Sequence, residues 1–352
     1  MSMKNRLRRF SSSPPVWARR LGKKDVVTAS RVSIPRNLAG RNFPHRLTDV
    51  AMNDVLEEVR PTLSGCGLKE FNMNEMDERD ISLLWERGLF IGTATKEDVR
   101  YGKSVFMDDF EKMLVTINEL DHFWIVTSLP GMTLRRCLEN ASTMEHCIAE
   151  SHKLAFSNES GYMTSFVELH GTGVRLSMTI YIPGITLDWR EEFVEWIGEL
   201  NLEVGGPFGI GIMPENPPLG GSILQVSCNS QNEHETAHNL KVMEGFAEKV
   251  TDIEIKCRQN PSSYARDIIG RLWGVLPNRI EANESDVAAG LAVAMLGVWN
   301  GMIDEFEIPN IEKMLYLSLY GHLMSIIPDC AEESLDETRA SLVKSMVGGS
   351  GL

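Results

Sequence analysis

The sequence predicts an α+β protein, in which an antiparallel sheet flanked by helices is followed by a small all-α C-terminal domain. First, short strand-like runs alternate with helical segments over residues 24–250. Second, these runs are short and alternate in polarity, which is typical of antiparallel sheets. Third, strand-like runs end at residues 259–263, and only helical periodicity follows. A chain of 352 residues, 43% of them hydrophobic, has enough apolar material for two cores.

Strands and helices are predicted from the spacing of the apolar residues. Runs rich in β-branched and aromatic residues predict strands at 105–107, 114–117, 123–126, 174–182 and 223–226. Apolar residues at i, i+3 and i+4 predict helices at 47–59, 133–156, 188–200 and 233–250, and in the C-terminal part at 264–276, 284–302, 308–327 and 334–347. No apolar run reaches the length of about 20 residues that a membrane span needs, so we expect no membrane contact.

Charge is distributed unevenly along the chain. The net charge is −14, yet residues 1–48 contain twelve Lys and Arg and one acidic residue, Asp25. The rest of the chain therefore carries −25, which disfavours nucleic-acid binding because phosphates require clustered cations. Residues 1–23 are predicted to form a basic flexible tail, with a mitochondrial presequence as the alternative. The two predicted domains then span residues 24–258 and 264–348.

The six cysteines lack a CxxC pair or a regular framework. They are Cys66, Cys137, Cys147, Cys228, Cys257 and Cys330. This scatter predicts free buried thiols in a reducing compartment, and hence a cytoplasmic protein.

Residues 234–238, HETAH, match the HExxH pattern of zinc hydrolases, in which two histidines bind the metal and the glutamate acts as base. Polar residues precede the pattern, and no recognisable third ligand follows it. The alternative is an amphipathic helix start with solvated His234, Glu235 and His238. We expect no metal site here.

Four short motifs carry a more specific signal. They are SRVSIPRNL at 30–38, INELDHFW at 117–124, GYMT with GTGVR at 161–175, and LG with QVS at 219–227. In order and spacing they resemble the phosphagen kinase (ATP:guanidino phosphotransferase) family, and most closely its bacterial protein arginine kinase branch. The resemblance covers roughly residues 17–345.

The resemblance implies that arginines clamp the phosphates of ATP, that magnesium neutralises them, and that carboxylates orient and deprotonate the acceptor guanidinium. The chain keeps Ser30, Arg31 and Arg175. The resemblance implies that the two arginines and His122 form a residual nucleotide site. Glu119 and Asp121 remain as remnants of the carboxylate motif.

Six positions depart from the family pattern. Arginines are replaced by Ser33, Trp124 and Gly205, the two acceptor-facing carboxylates by Leu120 and Ile210, and the active-site cysteine by Phe166. Three of five phosphate-binding arginines are therefore lost, and neither Leu120 nor Ile210 can accept a proton.

Residues 335–340, LDETRA, resemble the phosphoarginine-binding RDxxRA motif of the arginine kinase branch, with its first arginine replaced. Asp336 and Arg339 would then be the remnant of a phosphoarginine site. The alternative is an ordinary solvated terminal helix.

Together these departures predict a pseudokinase that acts by binding or regulation, with no confident catalytic residue and no cofactor. The resemblance implies a protein partner, homodimer formation and a link to protein quality control. The first alternative is an active protein arginine kinase that uses Mg-ATP, with Glu119, Asp121 or Glu168 in the carboxylate role. The distant alternative is an HExxH zinc hydrolase.

Overall fold

The computed structural model of the chain describes residues 3–21, 25–89, 99, 101–206, 222–303 and 308–347. The chain divides into two compact units. The sheet unit comprises residues 29–178 and 227–245, and the helical unit comprises residues 1–28, 179–226 and 246–352.

The described strands form one long sheet and one small hairpin. Their bounds are β1 Val27–Arg36, β2 Lys69–Asn72, β3 Ser104–Met107, β4 Met113–Ile117, β5 Phe123–Pro130, β6 Phe156–Ser157, β7 Gly161–Tyr162, β8 Val174–Tyr181, β9 Glu203–Gly205 and β10 Ile223–Ser230. The sheet order is β2-β3-β4-β5-β1-β8-β10-β9, and β6 pairs with β7. The pairs β1–β5, β2–β3, β3–β4 and β4–β5 are antiparallel, which confirms the predicted sheet type.

The described helices match most of the predicted ones. Their bounds are α1 Met3–Ser11, α2 Asp49–Gly65, α3 Glu78–Glu86, α4 Leu134–Ser151, α5 Pro183–Asp188, α6 Arg190–Glu199, α7 Glu233–Gln259, α8 Ser263–Val275, α9 Glu284–Trp299, α10 Ile308–Leu317, α11 Tyr320–Ile326 and α12 Leu335–Val347. The predicted helix 308–327 is two helices, because Leu319 has extended backbone angles and caps α11. None of the helices in the described ranges is long and apolar enough to cross a membrane.

In the sheet unit, β1 and β8 lie in the middle of the sheet and are almost entirely buried. Thr48 is the N-cap residue of α2, and its side chain accepts a hydrogen bond from the backbone N–H of Ala51. Helix α4 packs on both β5 and α2. The sheet therefore has a helix-covered face, and the strands present every second side chain to it.

A disulfide joins Cys66, at the C-terminal end of α2, to Cys147 in α4. The prediction that all six cysteines are free thiols is therefore wrong for this pair. The two residues are 81 positions apart, and only the packing of α2 on α4 brings them together. The free cysteines are Cys137, Cys228, Cys257 and Cys330.

In the helical unit, α8 packs against α9, and α9 is buried over most of its length. The cluster of Ile269, Val293, Leu296 and Ile303 forms part of its core. Inside this unit the Glu254 carboxylate accepts hydrogen bonds from the backbone N–H groups that begin α5, at 3.0 and 2.8 Å. Such an arrangement holds a negative charge at a helix N-terminus, where the helix dipole favours it.

The N-terminal segment differs from the predicted flexible tail. Residues Met3–Ser11 form α1, which buries Leu7 and Phe10 and packs on α11. The division into units also differs from the predicted boundary at residues 259–263, because α7 continues without a break to Gln259 and its second half belongs with the C-terminal helices.

Candidate functional site

The loop between β4 and β5 carries the remnant carboxylates and lies within the sheet unit. It begins at Asn118, which has a φ of 57°, in the left-handed region that asparagine tolerates better than most residues. The Asn118 amide donates hydrogen bonds of 2.8 Å to the backbone oxygens of both Met52 and Gly102. These bonds fix where the loop leaves β4.

Asn37, directly after β1, fixes the other end of this loop. Its amide donates to Oδ1 of Asp121 at 2.5 Å and to the backbone oxygen of Met163 at 3.1 Å. Its side-chain oxygen accepts a hydrogen bond from the backbone N–H of His122 at 3.0 Å. One buried side chain therefore connects β1, the loop and the segment after β7.

Asp121 is fully buried and serves a structural role. Besides Asn37, the backbone N–H of Ser165 donates to its Oδ1 at 2.7 Å. Burial raises the pKa of Asp121, and the hydrogen bonds from Asn37 and Ser165 oppose that rise. Its Oδ2 atom has no hydrogen-bond partner among the described residues. Through Oδ1, this carboxylate therefore connects the loop to Asn37 and Ser165.

His122 is also fully buried. Its Nδ1 atom accepts a hydrogen bond of 3.3 Å from the backbone N–H of Leu38. Burial lowers the pKa of His122 to about 4, and the charge of Arg41 contributes in the same direction. The imidazole is therefore neutral at physiological pH and adds no positive charge for a phosphate.

Glu119 and Leu120 complete the loop. The Glu119 side chain is only 5% exposed, and its Oε2 lies 3.7 Å from Nζ of Lys103. Burial raises the pKa of Glu119 to about 7, although the charge of Lys103 opposes the rise. Leu120 is 38% exposed, so the side chain that the loop presents to solvent between the two carboxylates is apolar.

The two retained arginines lie near each other. Nη1 of Arg31 donates to the backbone oxygen of Gly88 at 2.6 Å, and Arg175 donates to Asn229 at 2.8 Å and to Ser227 at 2.7 Å. Burial, followed by the charge of Arg175, lowers the pKa of Arg31 to about 10. Two guanidinium groups that repel each other in this way form an arrangement suited to an anion.

The strand register places two of the positions at which the resemblance predicts arginines, Ser33 and Trp124. Ser33 pairs with Val126, and Trp124 pairs with Pro35, so both side chains point to the same sheet face as Arg31. Ser33 and Trp124 are 4% and 1% exposed. Ser30 points to the other face, where its Oγ donates to the backbone oxygen of Gly131 at 2.8 Å.

The remaining predicted positions are dispersed. Phe166 is half-buried next to Ser165, and Glu168 is exposed on the following turn. Gly205 is buried at the end of β9, in the helical unit, whereas Ile210 lies outside the described residues.

Asp336 and Arg339 lie at the start of α12, within the helical unit. Arg339 is 4% exposed and donates to the backbone oxygens of Ser318 and Ala282, at 2.7 and 3.0 Å. It also pairs with Asp336, whose backbone oxygen accepts a hydrogen bond from Ala282. The guanidinium therefore links α12 to two other segments.

The HExxH residues begin α7. His234 and His238 are exposed, and Glu235 accepts a hydrogen bond of 2.6 Å from the backbone N–H of Gln231, as in a helix cap. In the part of the chain that the structure describes, no three His, Cys, Asp or Glu residues are grouped so that they could bind a metal ion.

Sequence reasoning missed three residues of this site: Asn37, Lys103 and Ser165. Asn37 lies in one of the recognised motifs but was given no role, and Lys103 carries no sequence signal that links it to Glu119. Two of these contacts follow from strand pairing: β3 pairs with β4, which places Lys103 near Glu119, and β5 pairs with β1, which places Asn37 near Asp121.

With this geometry established, the chain can be placed among known proteins. Residues 52–254 match the family described as ATP:guanido phosphotransferase, C-terminal catalytic domain, and the chain belongs to that family. Its similarity to protein-arginine kinases extends over nearly the whole chain. It is 24% identical to the protein-arginine kinase of Halothermothrix orenii, over 92% of this chain and 93% of that protein. It is 26% identical to that of Caldanaerobacter subterraneus, over 84% and 92%. These matches confirm the predicted family and branch.

Solved structures support the fold. The chain is similar to the duplicated taurocyamine kinase of Schistosoma mansoni with bound transition state analogue components, with a TM-score of 0.57 and 22% identity over 66% of this chain and 33% of that one. It is also similar to lombricine kinase, with a TM-score of 0.55 and 17% identity over 69% and 71%. The predicted α+β class is confirmed.

Proposed function

We propose that this family member is a pseudokinase that acts by binding or regulation. The proposal rests mainly on the positions of the side chains in the loop between β4 and β5. Glu119 is buried beside Lys103, Asp121 is held by Asn37, and the residue exposed between them is Leu120. No side chain of this loop therefore offers a solvent-facing carboxylate to orient an acceptor guanidinium.

The phosphate side of the site supports the same proposal. ATP carries about four negative charges, and in the family pattern arginines bind its phosphates. On the sheet face of Arg31 and Arg175, the other two motif positions are the buried Ser33 and Trp124. Each missing charge-assisted hydrogen bond would have contributed about 1.5–3 kcal/mol. These residues therefore do not fit Mg-ATP well.

We propose that the protein acts with a protein partner, that it is located in the cytoplasm, and that it takes part in protein quality control. The support is the likeness to protein-arginine kinases over more than 90% of their length. We propose the homodimer on the same basis.

The test combines nucleotide binding with a product assay. Calorimetry with Mg-ATP should give a dissociation constant no tighter than about 1 mM, or roughly −4 kcal/mol. Mass spectrometry under acid-free handling should detect no phosphoarginine on free arginine or on an arginine-rich protein. The control is the Arg175→Ala variant. Micromolar binding or turnover that disappears in this variant would contradict the proposal.

One observation favours the alternative of an active protein arginine kinase. The raised pKa of Glu119, about 7, is what a general base needs near neutral pH. If Glu119 acted as the base, the unmodified protein would form phosphoarginine, and Glu119→Gln would reduce the rate by about 10²–10⁴. The Glu168→Gln variant, which makes the same change at an exposed carboxylate, would retain the activity.

A further inference from the structure

A second concave site lies in the sheet unit, between α4 and α7. It is a cavity of about 450 Å³. Helix α4 contributes Leu138, Ser142 and Glu145 to its wall, and α7 contributes Glu233, Thr236 and Ala237. Three residues of this wall belong to or adjoin the HETAH segment, whose histidines do not line the cavity.

The cavity is separated from the two retained arginines by the sheet. Its floor contains Ile34 and Val174. Arg31 is three residues from Ile34 on β1, and Arg175 is next to Val174 on β8. Because successive side chains of a strand point to opposite faces, the arginines and the cavity lie on opposite faces of the sheet. A ligand in this cavity would therefore not compete with a phosphate at the arginines.

One end of the cavity is a neutral, rigid wall. Nε of Arg36 donates to Oε1 of Glu145 at 2.7 Å, and Nη2 of Arg36 donates to the backbone oxygen of Thr172 at 2.9 Å. The guanidinium carbon lies 3.8 Å from the ring centre of Tyr162. Because the charges of Arg36 and Glu145 compensate each other, this wall does not attract an anion.

The opening of the cavity carries hydrogen-bond acceptors. Glu233 is exposed there, and within the described ranges no lysine or arginine forms an ion pair with it. Nδ1 of His146 lies 2.6 Å from the backbone oxygen of Ser142, so this nitrogen carries the hydrogen. The other ring nitrogen, Nε2, is then an acceptor in the neutral imidazole. Apart from the Arg36–Glu145 pair, the wall therefore combines the carboxylate of Glu233 with a largely apolar interior.

We propose that this cavity binds a small organic cation, with a planar amidinium-type or ammonium head on an apolar body. The apolar body would lie over Ile34, Leu138 and Val174, and the head would face Glu233 and His146. A volume of about 450 Å³ is within the range of small-molecule sites and exceeds what one lysine or arginine side chain fills. The proposal therefore commits to a free small molecule, and it does not depend on whether the protein is catalytically silent.

The first experiment compares two probes of nearly equal shape, benzamidine and benzamide, by calorimetry on the full chain. Benzamidine is a cation and benzamide is neutral, so we expect benzamidine to bind at least about fivefold more tightly. Glu233→Gln should weaken benzamidine about fivefold, an effect limited by the exposure of this carboxylate. Glu139→Gln, the same change on an exposed part of α4 outside the cavity, should have no effect.

The second experiment locates the binding site. Ala237→Trp should fill the opening and weaken benzamidine at least about tenfold, whereas His238→Trp, on the adjacent exposed position of α7, should not. Circular dichroism would confirm that both variants are folded. The proposal is overturned if benzamide binds as tightly as benzamidine, if Ala237→Trp leaves binding unchanged, or if neither probe binds at about 10 mM.

Discussion

Replacing Glu119 by glutamine tests the electrostatics of the loop between β4 and β5. Burial raises the pKa of this carboxyl from 4.5 to about 7, so the folded protein holds a proton that the unfolded chain has already released between these values. The stability of the unmodified protein therefore falls as the pH rises through this window. A pKa shift of one unit corresponds to about 1.4 kcal/mol. Ionised Glu119 therefore destabilises the folded state by about 3 kcal/mol above pH 7. Glutamine carries no charge and should avoid this cost.

The assay is urea unfolding of the two proteins at pH 5 and at pH 8. From pH 5 to pH 8, the free energy of unfolding of Glu119→Gln should rise by about 2–3 kcal/mol relative to that of the unmodified protein. His122, whose pKa is lowered to about 4, has the opposite effect on the pH dependence of stability. Its contribution to the free energy of unfolding is lost as the pH falls below 6.5. It is present in both proteins and cancels in the difference. A stability difference that stays constant from pH 5 to pH 8 would refute the buried, protonated state of Glu119.

Two further variants test other contacts of the sheet unit. Cys66→Ser opens the disulfide to Cys147 and should lower the free energy of unfolding by about 4 kcal/mol, because the bond closes a long loop in the unfolded chain. An unchanged urea midpoint would mean that the disulfide is not formed in the purified protein. Asn37→Ala removes one of the hydrogen-bond donors to the buried Asp121 and leaves the N–H of His122 without its partner, and should cost about 2–4 kcal/mol. A loss below about 0.5 kcal/mol in thermal unfolding would show that Asn37 does not hold the loop.

The fold was predictable where one sequence signal dominates. The apolar segment of α9 was correctly predicted as a helix, and β8 as a strand. Strand β1 was not predicted, although it lies near the middle of the sheet, because Arg31, Pro35 and Arg36 interrupt its apolar pattern. Its strand conformation is imposed by pairing with β5, and such long-range pairing overrides local propensity.

The site was predictable only in part. The motifs grouped Arg31 and Arg175, which are far apart in sequence, and in the structure the charge of Arg175 affects the pKa of Arg31; that the two act together on a phosphate stays a prediction. The burial of His122 and Asp121 was not predictable, because it depends on packing around Asn37. The Cys66–Cys147 disulfide was missed for a related reason, since spacing alone does not determine which cysteines meet.

The distribution of charge on β1 connects the lost and the retained features of the protein. Burial, followed by the charge of Arg175, lowers the pKa of Arg31 to about 10, and an arginine at position 33, on the same face of β1, would add further repulsion that a bound anion relieves. Serine at this position removes that repulsion in the absence of nucleotide. On the opposite face, the charge of Arg36 is compensated by Glu145 and needs no ligand. Because successive side chains of a strand point to opposite faces, Ser33 and the Arg36–Glu145 pair lie on opposite faces of β1, so the charge at position 33 can differ while that pair stays in place.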